Sequence, residues 1–309
     1  MPSPAARLVD RRVDLIDMRV TRFDHDEGTR WPRGGWVTAA GIAALSIVVV
    51  VAGGLVIGRR LAVRSVSPND FSALATDFHQ LTELNARIGV AIKAVGSDQN
   101  PVVLGDLQTG KAWSTMKVPL AIAALHEQQS PTVTDTMVAA ITESDNVAAE
   151  QIWASLGDPD TAAHKVEAVL RQAGDPTRVE STKVRPEYTA FGQSDWALAD
   201  QVGFISYAAC QDNDEPILNL MGQIEPGQRW GLGTIAETRF KGGWGPSPTG
   251  RYLVRQMGVL TTPSGQAAVA IAAQPASGTL NDGTQVLTKI STWLAHHLGM
   301  LPAGECGHA

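Results

Sequence analysis

At 309 residues the chain has room for one large domain or two small ones. A hydrophobic share of 44% beside 18% charged residues is that of a globular protein, and a net charge of −6 with no Lys/Arg run inside the folded part argues against a nucleic-acid partner. Two cysteines, Cys210 and Cys306, are too few for a disulfide framework; a single bridge in an oxidising compartment and two separate thiols both fit the sequence. There is no C-x-x-C pair and the seven histidines show no ligand spacing, so neither a metal nor a cofactor is expected.

In chain order, residues 1–35 mix Arg with Asp and hold few apolar side chains, which predicts a disordered tail. Residues 36–58, WVTAAGIAALSIVVVVAGGLVIG, carry no charge and, at about 1.5 Å per residue, are long enough to cross a bilayer. A signal peptide has a shorter apolar core, about 7–15 residues, close to the N-terminus, so the run predicts a retained transmembrane helix. Arg7, Arg11, Arg12, Arg19, Arg22, Arg30 and Arg33 precede it, against Arg59, Arg60 and Arg64 just after. The positive-inside rule therefore puts the tail in the cytoplasm and all that follows, through a linker over 59–68, on the extracytoplasmic side of the cell membrane.

Residues 69–300 predict one α+β domain, with 301–309 as a C-terminal tail. Phe71, Leu74, Phe78, Leu81 and Leu84 stand at helical spacing, predicting a helix over 70–84. Arg87–Val95 and Pro101–Gly105 read as two strands around G-S-D-Q-N turn chemistry. Helices are predicted over 113–128, 134–142, 146–156 and 160–173, a long loop over 174–193, and another helix over 194–210. Strand candidates follow at 235–241, 251–260 and 266–274, then a closing helix over 282–298. This order makes one antiparallel sheet flanked by helices, with a helical subdomain inserted.

Three short motifs carry chemistry. Ser114-Thr115-Met116-Lys117 opens an apolar helix, KAWSTMKVPLAIAALHEQ. Residues three apart share a helix face, so an amine can sit beside the serine hydroxyl, which needs such a neighbour to become a nucleophile. The free backbone N–H groups of the first turn favour a developing oxyanion. Ser144-Asp145-Asn146 lies between two helices, where an N-cap is the plain alternative. Lys241-Gly242-Gly243 ends a strand candidate before Trp244, either as a tight turn or to let a substrate approach the backbone. Trp113 and Trp244 flank the first and third motifs and fit either a groove or core packing.

Taken together, these motifs resemble the S-x-x-K, S-D-N and K-T-G set of the class A β-lactamases and related D,D-peptidases, a penicillin-binding serine hydrolase superfamily. The likeness extends to S-D-N-V-A-A-E-Q-I and to the run from Arg239 through Gly250 to Gln274-Pro275, and covers about residues 70–299. It implies a β-lactamase-like fold and an acyl-enzyme on Ser114 with β-lactams or peptidoglycan peptides. Lys117 would take or relay the proton, Ser144 would pass one to the leaving nitrogen, and Asn146 would fix Lys117 or the substrate amide. Lys241 would supply positive charge to a substrate carboxylate and to Ser144; Gly243 and Trp244 would line the substrate, with Ser114 and Trp244 N–H as oxyanion donors. A non-catalytic relative that binds cell-wall fragments or a partner protein is the alternative.

Two departures bear on the choice. Gly242 stands where the family has threonine or serine, removing a hydroxyl that would bond a substrate carboxylate; Arg251 and Arg255, on one face of the next strand candidate, are candidates for the missing anchor. The family's water-activating E-P-E-L-N loop is here Arg185-Pro186-Glu187-Tyr188-Thr189, with arginine at the glutamate's place; Glu180 and Glu187 are near enough to be considered as substitutes. The run Gly105–Ala112 nearly fits a phosphate loop, but ends in alanine where a hydroxyl must hold magnesium, so nucleotide binding is set aside.

Overall fold

The structure, a computed structural model, describes residues 68–307; the predicted tail, transmembrane run and linker over 59–67 lie outside the described residues. Among the described residues no helix is long and apolar enough to cross a membrane.

Helix α1 (Pro68–Phe78) is followed by a 3-10 turn over His79–Leu84, so the single helix expected over 70–84 tightens in its second half. Strands β1 (Ala86–Ala94) and β2 (Val102–Gly105) form the expected pair. Near the C-terminal end come β5 (Arg239–Pro246), β6 (Tyr252–Thr262) and β7 (Gly265–Pro275), then the closing helix α8 (Leu280–His296). These strands make one antiparallel sheet in the order β2-β1-β7-β6-β5. The first and last parts of the chain thus meet at its centre, where β1 pairs with β7 along nine residues from Ala86↔Pro275 to Ala94↔Ala267.

Helices cover both faces of the sheet. A Cβ on Gly283 of α8 would strike Val254 of β6, whereas the next residue, Arg255, bonds to Gln201 on the helix α6 (Leu198–Ala208). Successive strand residues point to opposite faces, so α8 and α6 lie on opposite sides. That is why β7 reads as an unbroken small apolar run, AAVAIAA, rather than alternating: both of its faces are buried.

Between β3 (Thr109–Lys111) and β5 lies the helical insertion: α2 (Lys117–His126), α3 (Asp135–Val138), α4 (Asn146–Ser155), α5 (Pro159–Gln172), α6 and α7 (Glu215–Met221). Helix α2 is buried from Lys117 through Leu125, apolar on every face because α4 and α5 pack on it.

Several boundaries differ from the sequence reading, each for a local reason. The Lys241-Gly242-Gly243 run lies inside β5 rather than at its end, paired with β6 from Lys241↔Met257 to Pro246↔Tyr252; the glycines mark close approach, not a turn. The segment expected as helix over 194–210 begins as a short strand β4 (Asp195–Ala197) that pairs with β3. Gly110 and Lys111 are therefore strand residues, with Lys111 ion-paired to Asp195 at 3.1 Å, not part of a phosphate cradle. Helix α7, seven residues with a proline in its first turn, is too short for its periodicity to register in the sequence. The segment after residue 300 is fastened to the domain: Leu301 is buried, Gly304 bridges to Gln266, and Cys306 forms a disulfide with Cys210.

Candidate active site

Ser114 sits on a single 3-10 turn, Trp113–Met116, that leads into α2; its neighbours in the turn are buried and only Ser114 opens outward. Trp113 enters the turn with φ of 49°, a left-handed conformation that an aromatic residue adopts only when its surroundings enforce it. The enforcing groups lie underneath. Thr115 Oγ1 donates to Ala112 O at 2.6 Å and accepts from Gln201 Nε2 at 2.9 Å. Gln201 Oε1 in turn accepts from Arg255 Nη2 at 2.6 Å, and the same guanidinium donates to Gly110 O (2.8 Å), Lys111 O (3.2 Å) and Trp196 O (3.0 Å). Arg255 is fully buried, and loss of hydration pushes it down to about 9, with Asp195 pulling the other way. From the sheet side, Gly243 brings β5 against the same turn: a Cβ there would lie 2.9 Å from Ala112 O, Ser114 N and Thr115 N. Gly245 lies flat against the Trp113 ring, 2.4 Å from it if a Cβ were added.

Both motif lysines reach Ser144. Lys117 Nζ donates to Ser144 O at 2.5 Å and to Asn146 Oδ1 at 2.8 Å, and stands 3.4 Å from Ser144 Oγ. Lys241 Nζ donates to Ser144 Oγ at 2.8 Å and to Gly242 O at 3.1 Å. Ser144 can serve both because it ends a π-turn, Ala139–Glu143, in the left-handed conformation with φ of 61°, turning its carbonyl and hydroxyl to the amines. Asp145 then caps α4, its carboxylate accepting from Ala148 N at 2.7 Å. The N-cap and the lysine contacts thus fall on adjacent residues, Asp145 and Ser144.

Burial sets the protonation of the pair. Lys117 is pushed down to about 7, mainly by desolvation, with Asp145 partly opposing. Lys241, with no exposure at all, is held well below its usual range by desolvation and by the Lys117 charge, against a weaker pull from Glu225. Among the described residues no hydrogen bond joins the Ser114 hydroxyl to either amine; Ser114, Ser144 and Asn146 instead line one cavity of about 220 Å³.

The aromatic rings of Trp113, Tyr188, Trp244 and Tyr252 form much of the remaining wall, and Thr189 completes the loop side. Neither glutamate considered as a water-activating base lines this cavity. Glu187 is exposed and ion-paired with Arg185 at 2.9 Å; Glu180 meets Ser194 Oγ through its backbone N–H. Arg185, where the resemblance calls for a glutamate, donates to Pro246 O at 2.6 Å, stacks on Tyr188 at 4.4 Å and so clamps the loop to the end of β5. The two anchor candidates are also engaged elsewhere. Arg251 donates to Pro275 O and Ala276 O at 3.1 and 3.0 Å and does not line the cavity, and Arg255 lies beneath the nucleophile turn. Beside Gly242, a Cβ would meet the Trp230 ring at 3.4 Å and the Trp244 ring at 3.6 Å.

The structure thus gathers Ser114, Lys117, Ser144, Asn146, Lys241, Gly243 and Trp244, and leaves Arg251 outside. Sequence reasoning missed Tyr188, Thr189 and Tyr252 on the wall, and the buried support of Gln201. A glutamine among the apolar positions of LADQVGFISYA was the visible signal for the last. Among the described residues no group of three His, Cys, Asp or Glu could hold a metal ion.

No protein-family model matches the chain, and no curated protein matches it by sequence. Solved structures do match by shape. The TLA-3 extended-spectrum β-lactamase aligns with a TM-score of 0.58 at 14% identity, covering 74% of this chain and 98% of that one. A class A β-lactamase from Mycobacterium abscessus aligns with a TM-score of 0.56 at 15% identity, covering 72% and 98%. An ancestral class A β-lactamase aligns with a TM-score of 0.55 at 17% identity, covering 72% and 99%. The described domain has the β-lactamase-like α+β fold of these class A enzymes.

Proposed function

We propose that the domain is a serine acyl-transfer enzyme that forms an ester on Ser114 with β-lactams or peptidoglycan peptides. We further propose that the run 36–58 tethers it to the cell membrane on the extracytoplasmic side. The observation that carries the first reading is the double engagement of Ser144 by two buried amines, one of them poised near neutrality. At pH 7 an amine with that affinity is in large part neutral and can accept the Ser114 proton as the oxygen attacks the donor carbonyl. The new Oγ–C bond replaces the C–N bond, and the proton passes through Ser144 to the leaving nitrogen. The N–H groups of Ser114 and Trp244 are the oxyanion donors, the Gly243 contact setting β5 against the Ser114 turn. The placement outside the cytoplasm is supported by the Cys210–Cys306 bridge, since disulfides persist in oxidising compartments.

With no carboxylate on the cavity wall, water lacks a dedicated base and is left with Lys117, which Ser144 and Asn146 already engage, so deacylation is slow. The same feature, together with the unbonded Ser114 hydroxyl, favours the second reading: a non-catalytic relative that binds cell-wall fragments or a partner protein.

Incubation with benzylpenicillin or its methyl ester, followed by intact-mass measurement, separates the two. The acyl-transfer reading expects one adduct per chain, lost in Ser114→Ala. No adduct from either donor, with Ser114→Ala retaining every biological effect of the protein, establishes the binding role instead.

A further inference from the structure

We infer that the Ser114 cleft selects acyl donors that carry no free carboxylate beside the scissile bond. This rests on the acyl-transfer reading and narrows its substrate class. An anionic group at that place needs a cation or several donors, because a carboxylate taken from water without partners loses its hydration for nothing in return. The cations near the cleft are engaged elsewhere, and its wall offers only neutral donors such as Asn146, Thr189 and Tyr252. Lys241 is wholly buried and its amine donates to Ser144 Oγ and Gly242 O. Arg251 holds the backbone at the end of β7, and Arg255 holds four acceptors under the nucleophile turn. Arg185 is tied to Glu187 and Pro246. None of the side chains on the cavity wall is formally charged.

The position next to Lys241 points the same way. Gly242 has no hydroxyl, and the space its side chain would enter is bounded by the Trp230 and Trp244 rings, themselves packed edge to face at 5.7 Å. These ring carbons give a carboxylate no hydrogen-bond donor and welcome apolar surface. Trp244 carries that surface to the wall of the cleft, where Trp113, Tyr188 and Tyr252 extend it. The donor chemistry that fits is an uncharged amide, lactam or ester with an apolar acyl group, including a peptide whose terminal carboxylate is itself bonded.

A matched pair of donors tests this: benzylpenicillin and benzylpenicillin methyl ester, identical except for the charge. The second-order acylation constant of each is read by intact mass and divided by that donor's own alkaline ring-opening rate, which removes intrinsic reactivity. An adduct of full donor mass identifies ring opening rather than attack at the methyl ester. The inference expects a normalised ester-to-acid ratio of about ten or more, the size of one lost charge-assisted hydrogen bond. A ratio at or below one overturns it while leaving the acyl-transfer reading standing; labelling by neither donor removes both. Gly242→Ser, which returns a hydroxyl beside Lys241, is expected to lower the ratio at least several-fold in protein that unfolds cooperatively. An unchanged ratio in such protein contradicts the part assigned to Gly242.

Discussion

The two sides of the Ser114 cleft are built to different standards. Beneath the serine, the turn is held from below by the Thr115–Gln201–Arg255 chain and from the sheet by Gly243, and Ser144 is held by two lysines. Across the cleft, the loop is also held, by the Arg185 clamp on Pro246 and by a Lys183–Glu150 ion pair at 2.9 Å, yet it presents Tyr188 and Thr189 and no carboxylate. Rigidity is common to both sides; only one brings amines to a serine hydroxyl. On the proposed function, such a site is expected to receive an acyl group more readily than it surrenders one to water.

That contrast can be broken from below. Arg255→Met leaves the carbonyls of Gly110, Lys111 and Trp196 and the Gln201 amide without their donor. A loss of about 3–5 kcal/mol in urea-unfolding free energy is expected, because buried polar groups are left unpaired. Lys117→Ala removes the base and is expected to slow acylation by about 10²–10⁴-fold with the fold intact. In the unaltered protein the acylation rate should rise with pH through about 7 and then level, as Lys117 loses its proton. The sign for stability follows from linkage. Folded Lys117 releases its proton near 7, whereas an unfolded lysine keeps it to about 10.4, so its contribution to stability increases as pH rises across that interval. Proton uptake on unfolding at pH 8–9, measured calorimetrically in buffers of different ionisation enthalpy, checks this; no uptake contradicts it.

Gly243→Ala tests the sheet contact. A methyl group 2.9 Å from three turn atoms must shift the serine, and a misplacement of even about 1 Å costs on the order of 10²-fold in acylation rate. The far side can be sharpened rather than broken: Thr189→Glu sets a carboxylate on the cavity wall, and about a tenfold shorter adduct lifetime is expected, at the low end for an imperfectly aligned base.

Much of the near side was legible in the sequence because it is written in short-range spacing. Ser114 and Lys117 stand one turn apart and Ser144 and Asn146 flank the Asp145 cap, so each motif was visible locally; the contacts that join Lys117 to Ser144 and Asn146 span 27 and 29 residues and only the fold supplies them. The order of strands and helices was readable for the same reason. The far side was not, because it depends on where a loop without periodicity lies down. Whether Arg185 faces the cleft or the end of β5 is decided by Pro246, some sixty residues away. Arg255 illustrates the same limit. Its parity on β6 was readable, but not that the face it points to is closed by α6, which converts a candidate substrate anchor into a buried strut. Gly242-Gly243 left a turn and a close approach both open because glycine marks either, and only pairing with β6 separates the two.

The central claim, a site fit to be acylated but not to hydrolyse the ester, is tested most directly by following intact mass over time after a brief exposure to benzylpenicillin methyl ester and removal of the excess. The account predicts a single adduct of full donor mass on Ser114 that persists long after the donor is gone. Rapid return to the unmodified mass with release of opened donor would contradict it, and would require a water-activating group that the cleft wall does not contain.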